Sequence, residues 1–227
     1  MLFRSKYGPP HIFAAAIKWL GTIFTSSYTV WHDLWTKHGS TTGITGNLNV
    51  NPFEAANLFR ITGQDAMRPT ALFLCCQLDI SILLSGLPRT DGTMEVLSHD
   101  DLQHCLEARV RYTAEMTTFM HMFYFVHASW SAPAPECSSP DSCADAFTPQ
   151  RTSHRTHVFR LNDSYYQNPF KISVSMRKIS ADKCAAGELC DHCAQLLLDR
   201  VRALEREQWN ALPHNMGLGE VQWDISW

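Results

Sequence analysis

The sequence lacks the common signatures of catalysis and of nucleic-acid binding. It contains no P-loop, no G-x-G-x-x-G after a predicted strand, no G-x-S-x-G turn and no H-E-x-x-H pair. Its 19 Lys and Arg are outnumbered by 22 Asp and Glu, so the net charge is -3. The basic residues are also spread along the chain and form no block. We therefore predict that the protein is not an enzyme, and we expect no nucleic-acid partner.

Long hydrophobic runs are missing as well. No apolar stretch reaches the roughly 18 residues that a membrane-spanning helix requires, so we expect no membrane partner. Residues 1–24 place Arg4 and Lys6 ahead of an apolar run, as signal peptides do, but Lys18 interrupts the run and no small-x-small cleavage site follows. We predict a buried amphipathic helix there, and a cytoplasmic or nuclear protein with reduced cysteines.

The composition that remains is that of a folded, helical protein. Apolar residues make up 45% of the chain and charged residues 18%. Asn51, followed by Pro52 and Glu54, is typical of a helix start, and Ser98 with two following aspartates predicts the start of a long helix that ends near Trp130. The apolar face of this long helix is expected to include Leu102, Cys105, Leu106, Val110, Tyr112 and Met116. The sequence predicts an all-α fold, an irregular helical bundle with one long central helix and a polar, partly disordered insertion.

Composition along the chain suggests three segments. Residues 1–130 carry the helical patterns of a core. Residues 131–169 are rich in Pro, Ser, Thr and His and predict a flexible polar segment. Residues 170–227 predict a C-terminal helical segment that packs back on the core, although FKISVSM alternates like a strand and leaves a strand or a helix open there. A final helix is expected from about Glu188 to Leu212, with an inward stripe of Leu197, Val201, Leu204 and Trp209.

The eight cysteines fall into different sequence contexts. Cys75, Cys76 and Cys105 stand in apolar helical patterns and are expected to be small buried hydrophobes. Four others form two closely spaced pairs, C-x5-C and C-x2-C: Cys137, Cys143, Cys190 and Cys193. Four thiolates satisfy tetrahedral zinc without an open position, so we predict that these four meet and bind one structural Zn²⁺.

Two alternatives to this zinc site stay open. The four cysteines could be free thiols, and Cys184 or His192 could replace a ligand that fails. A different function is a thiol-disulfide oxidoreductase, since Cys190 and Cys193 form a C-x-x-C at the start of a predicted helix, where the helix dipole favours a thiolate. The strand and helix alternation that such enzymes use is not evident in the sequence.

Three segments of the chain each carry a distinct motif. Residues 71–111 join a helix with a double cysteine to a Leu-rich helix, a Pro-Arg-x-Asp-Gly-Thr turn and a Ser-x-Asp-Asp-Leu helix start. The pair Cys137 and Cys143 and the ending at residues 189–218 follow. Together these segments resemble the helical region that follows the BTB/POZ domain in a family of basidiomycete fungal proteins. Residues 1–25, where Lys6-Tyr7 precedes an amphipathic helix, are similar to the end of a BTB domain.

The resemblance implies a function in binding. Such post-BTB regions present packed helices to other proteins, so we expect a non-enzymatic protein–protein interaction module with a protein partner. The strands and early helices of the BTB core itself would lie before Met1, and we expect this chain to lack them. Dimerisation, which the BTB core supplies in the family, is therefore not carried over to this sequence.

Overall fold

The structure is a computed structural model, and it describes residues 10–38, 44–46, 48, 50–121, 132–147 and 168–224. The α-helices are α1 (Pro10–Leu20), α2 (Tyr28–His38), α3 (Pro52–Thr62), α4 (Arg68–Cys76), α5 (Ile80–Ser85), α6 (His99–His121), α7 (Pro140–Phe147), α8 (Pro169–Ala185), α9 (Asp191–Asn210) and α10 (Leu212–Asn215). A 3-10 helix, Asp65–Met67, precedes α4. An antiparallel hairpin pairs β1 (Leu87–Pro88) with β2 (Met94–Glu95). The all-α prediction is confirmed.

The chain divides into two compact units. One consists of Met1–Ala108 with Asn210–Trp227, and the other of Arg109–Trp209. The segments predicted from composition, 1–130, 131–169 and 170–227, stay a prediction. Within the polar segment the structure describes a helix, α7, and residues 148–167 lie outside the described residues.

Two helix starts form as the sequence predicts. Asn51 Oδ1 accepts hydrogen bonds from the backbone N–H groups of Phe53, at 2.9 Å, and Glu54, at 3.3 Å, and so caps α3. At α6, Ser98 Oγ accepts the N–H of Asp101 at 3.2 Å. Each cap pairs N–H groups that have no partner within the helix, which is why both starts can be recognised from local sequence.

The core of the first unit is aromatic. Phe24 meets Phe59 edge to face with ring centroids 5.5 Å apart, and Trp31 meets Phe73 in the same way at 5.6 Å. These four side chains are almost completely buried. Helix α4, which contributes Phe73, packs against α3 and α10. Edge-to-face pairs add to the free energy gained from burying the rings, so this cluster stabilises the core of the unit.

The buried stripe of α6 differs in detail from the apolar letters of its sequence. Asp101, Cys105, Ala108, Tyr112 and Met116 are buried at helical spacing, whereas Val110 is 70% exposed. Val110 was expected on the inner face and that expectation is wrong. The helix is described as far as His121, so the predicted continuation to Trp130 lies outside the described residues.

Helix α1 is not the buried helix that its sequence predicts. Ile12 and Trp19 are each more than half exposed, and no described side chain of α1 is buried. An apolar pattern shows which face can be buried, but burial requires another element to cover it.

Within the described ranges, no helix combines the length and apolar character needed to cross a bilayer.

In the second unit, α8 and α9 are neighbours. Arg177 of α8 pairs with Glu205 of α9 at 2.6 Å, and Phe170 lies edge to face with Trp209 at 6.4 Å. The FKISVSM segment, for which strand and helix were both open, is therefore helical. The inner face of α9 holds Glu205 where Leu204 was expected, because the arginine of the adjacent helix offers the carboxylate a partner.

Candidate metal centre

Three pieces of backbone position the four predicted cysteines. Cys137 ends a turn in which its N–H donates to the carbonyl of Ala134 at 3.0 Å. Cys143 lies in α7. Cys190 directly precedes α9, where its carbonyl accepts the N–H of Ala194 at 2.9 Å, and Cys193 follows in the first turn. A C-x2-C pair at a helix start brings both sulfurs to the same end of that helix.

The structure brings the sulfurs of Cys137, Cys143, Cys190 and Cys193 within 4.8 Å of one another. The sulfurs of Cys137 and Cys190 are 3.7 Å apart. Ligands about 2.3 Å from a tetrahedral zinc are about 3.8 Å from each other, because a tetrahedron's edge is about 1.6 times its radius. The cluster therefore has nearly the dimensions of a site for one metal ion.

The cluster consists of an inner and an outer pair. The inner pair, Cys143 and Cys193, is completely buried against Ala134 and Leu189. The outer pair, Cys137 and Cys190, is partly exposed and packs against that small core. The apolar surroundings keep water from the inner sulfurs, while the outer sulfurs border solvent.

Backbone N–H groups point at the inner sulfurs. Ala134 donates to Cys193 Sγ and Cys190 donates to Cys143 Sγ, each at 3.3 Å. Such donors carry partial positive charge and stabilise a thiolate that binds a metal. Ser142 Oγ also donates to the carbonyl of Glu188 at 3.4 Å, which holds α7 close to the residues before α9.

The thiols of the cluster differ in acidity. Hydrogen bonds from the backbone N–H groups of Cys193 and Ser138 lower the pKa of Cys190 to about 6. Burial raises the pKa of Cys193 to about 12 and also raises the pKa of Cys143. A metal ion that binds all four sulfurs must displace the protons of the buried pair, so binding would release protons and become weaker at low pH.

The two substitute ligands named from the sequence lie outside the cluster. Cys184 donates its thiol to Asp191 Oδ1 at 3.3 Å, and this hydrogen bond is the main cause of its raised pKa. His192 is exposed on α9. The backbone donor Ala134 was not found from the sequence, and a Pro-Ala-Pro turn before Cys137 is the only local signal that could have suggested it.

The cysteines predicted to be core residues are core residues. Cys75, Cys76 and Cys105 are completely buried in the first unit. The thiol of Cys76 donates to the carbonyl of Phe73 at 3.1 Å. Burial is the main reason that the pKa of Cys75 lies well above its usual value. These three thiols therefore behave as small apolar side chains.

Comparison with protein-family models, curated proteins and solved structures gives no match to this chain.

Proposed function

We propose that the chain is a non-enzymatic protein–protein interaction module whose second unit is held together by one structural zinc ion. The observation that supports zinc binding is that four cysteine sulfurs lie within 4.8 Å of one another. Four thiolates are a preferred ligand set for zinc, and they leave no position open for a water molecule or a substrate. The site would therefore stabilise the fold without catalysing a reaction.

A zinc ion here would join three segments that share a small apolar core. The core beside the cluster consists of Ala134, Leu189 and the two inner cysteines, with a few partly buried neighbours. So few apolar side chains provide little hydrophobic free energy. Structural zinc binding is worth on the order of 10 kcal/mol in small domains, and it would supply what this core lacks.

Metal analysis tests the zinc. Protein purified without chelator should contain one zinc per chain, and Cys190→Ser/Cys193→Ser protein should contain almost none. Cys184→Ser is the matched control, because Cys184 lies in the same unit but bonds to Asp191 instead of the cluster. Reduced, folded wild-type protein without zinc would contradict the proposal, and so would loss of zinc from the control.

The interaction function is supported by an exposed apolar surface in the first unit. Ile80 and Leu84 lie one turn apart on α5, and Met94 and Val96 alternate along β2 and its continuation; all four are more than half exposed. Gly86, which ends α5, approaches Val96 closely, so Val96 lies beside the end of the helix that carries Leu84. Grouped exposed apolar side chains are typical of protein-binding surfaces. The post-BTB resemblance of residues 71–111, which contain this surface, supports the same function.

Substitution on this surface tests the interaction. A protein that co-purifies with the wild-type chain should be recovered at least roughly tenfold less with Leu84→Glu/Val96→Glu. Val110→Glu is the control, since Val110 is also exposed but lies in the other unit. Equal recovery with the surface variant and the control would contradict the proposed surface.

A thiol-disulfide oxidoreductase is the alternative function, because Cys190 and Cys193 form a C-x-x-C at the start of α9. The burial of Cys193 and the presence of two further sulfurs support a metal site more than an exchange reaction. Catalytic reduction of insulin that is lost in Cys190→Ser and kept in Cys184→Ser would establish that the chain is an oxidoreductase. That result would contradict the proposal of a non-enzymatic interaction module.

A further inference from the structure

We propose that the zinc centre is a peroxide-sensitive switch, in which oxidation joins Cys137 to Cys190 and releases the metal. This inference rests on the proposed zinc site and adds its regulation. It begins from the division of the four ligands into a buried inner pair and a partly exposed outer pair. Only the outer sulfurs border the solvent through which a small oxidant arrives.

The outer sulfurs are also placed to react with each other. They are 3.7 Å apart, and a disulfide bond is about 2.05 Å long, so they need to approach by less than about 2 Å. The turn that carries Cys137 and the residues before α9 can supply this movement more readily than the interior of a helix. The inner pair differs in its surroundings, since Cys143 and Cys193 are completely buried among apolar side chains.

The chemistry balances with hydrogen peroxide as the two-electron oxidant. One outer thiolate attacks a peroxide oxygen, the O–O bond breaks, and the sulfur becomes a sulfenic acid while hydroxide leaves and takes a proton to form water. The other outer thiolate then attacks that sulfur, the S–O bond breaks, and hydroxide leaves again as the S–S bond forms. Two thiolates are oxidised, one peroxide is reduced to two waters, and zinc loses two of its four ligands.

Oxidation would remove the metal ion that links α7 to the two other segments. The new disulfide keeps the turn at Cys137 attached to the start of α9, whereas Cys143 loses the metal that links it to the other sulfurs. A closed zinc site binds tightly because all four ligands act together, so two remaining thiolates would not retain the ion. A dithiol reductant and added zinc would restore the original state, since a disulfide is reversible.

The test uses the zinc-loaded full chain and hydrogen peroxide. Zinc release is followed with a colorimetric chelator, and free thiols are counted under denaturing conditions. We expect zinc to be released at the same rate as the thiol count falls from eight to six. Cleavage before aspartate leaves Cys137 with Cys105 in residues 101–140 and Cys190 with Cys184 in residues 182–190, apart from both inner cysteines. Tandem mass spectrometry, which breaks the backbone within the linked fragments, should show Cys137 bonded to Cys190.

Other outcomes distinguish this inference from the zinc proposal. If zinc is present but peroxide produces a Cys190–Cys193 disulfide, or leaves the zinc bound, the switch is wrong and the zinc site stands. If the purified chain holds no zinc, both proposals fail. Cys184→Ser should release zinc at the wild-type rate; slower release by tenfold would make Cys184 the second sulfur of the reaction and would overturn the assignment to Cys137.

Discussion

Asp101 provides the sharpest test of how the first unit is held together. Its carboxylate is almost completely buried and lies 2.9 Å from Arg68 Nη2 and 3.4 Å from Arg60 Nε. The hydroxyl of Ser98 donates to it at 2.8 Å. One buried carboxylate therefore connects the start of α6 to α3 and α4, and its replacement by alanine should destabilise the unit.

The two arginines differ in exposure, and that difference determines how much each substitution should lower the free energy of unfolding. The Arg68 side chain is 18% exposed and that of Arg60 is 43% exposed. Removing one partner of a buried ion pair costs about 3–5 kcal/mol, because the other charge stays desolvated. Arg60 can turn to water, so Asp101→Ala should cost about 3 kcal/mol, nearer the lower end. Arg60→Ala should cost less than about 1 kcal/mol, as exposed pairs do.

Urea unfolding followed by tryptophan fluorescence measures both values, since Trp31 and Trp35 are buried in the same unit. With an m-value of roughly 1.5–2 kcal/mol per molar, Asp101→Ala should lower the midpoint by about 1.5–2 M and Arg60→Ala by less than about 0.7 M. Circular dichroism before unfolding checks that both variants fold. Equal midpoints for the two variants would show that the buried carboxylate does not depend on Arg68 as we infer.

Three further predictions concern other parts of the molecule. In urea unfolding, Gly86→Ala should cost roughly 3 kcal/mol and Gly92→Ala about 1 kcal/mol. Both glycines have positive φ, but only at Gly86 would a Cβ lie 2.4 Å from the backbone oxygen of Glu95. Equal costs for the two variants would contradict this reasoning. Glu205→Ala should cost about 2 kcal/mol, because partly exposed Arg177 loses its carboxylate, and a melting temperature like that of the wild type would exclude a structural role for the pair. A strong zinc chelator should lower a melting transition by roughly 10 °C or more, reversed by added zinc but not by magnesium; an unchanged melt would contradict a structural metal.

The features that the sequence predicts correctly depend on residues close together in the chain. Asn51 and Ser98 cap helices through atoms two or three residues away, so tertiary structure is not needed to recognise them. The spacing of Cys190 and Cys193 is equally local. The meeting of these two with Cys137 and Cys143 spans a long separation, and it could be predicted only because zinc chemistry requires four such ligands.

The misjudged positions all concern which neighbours a side chain finds. Val110 has the right polarity for a core and is exposed, whereas Glu205 has the wrong polarity and is buried beside Arg177. The free energy of burying a charge depends on whether a partner from another helix is within reach, and that partner is not visible in the local pattern. The same limit applies to α1, where the apolar side chains of Ile12 and Trp19 remain exposed.

The sequence by itself determined the helical class, the main helix starts and the identity of the four candidate metal ligands, because propensity, capping and ligand chemistry act over a few residues or through residue type alone. Only the tertiary structure decided that Cys143 and Cys193 are buried while Cys137 and Cys190 border solvent. That division arises from the packing of Ala134 and Leu189 around two of the sulfurs, and packing depends on where distant segments of the chain meet.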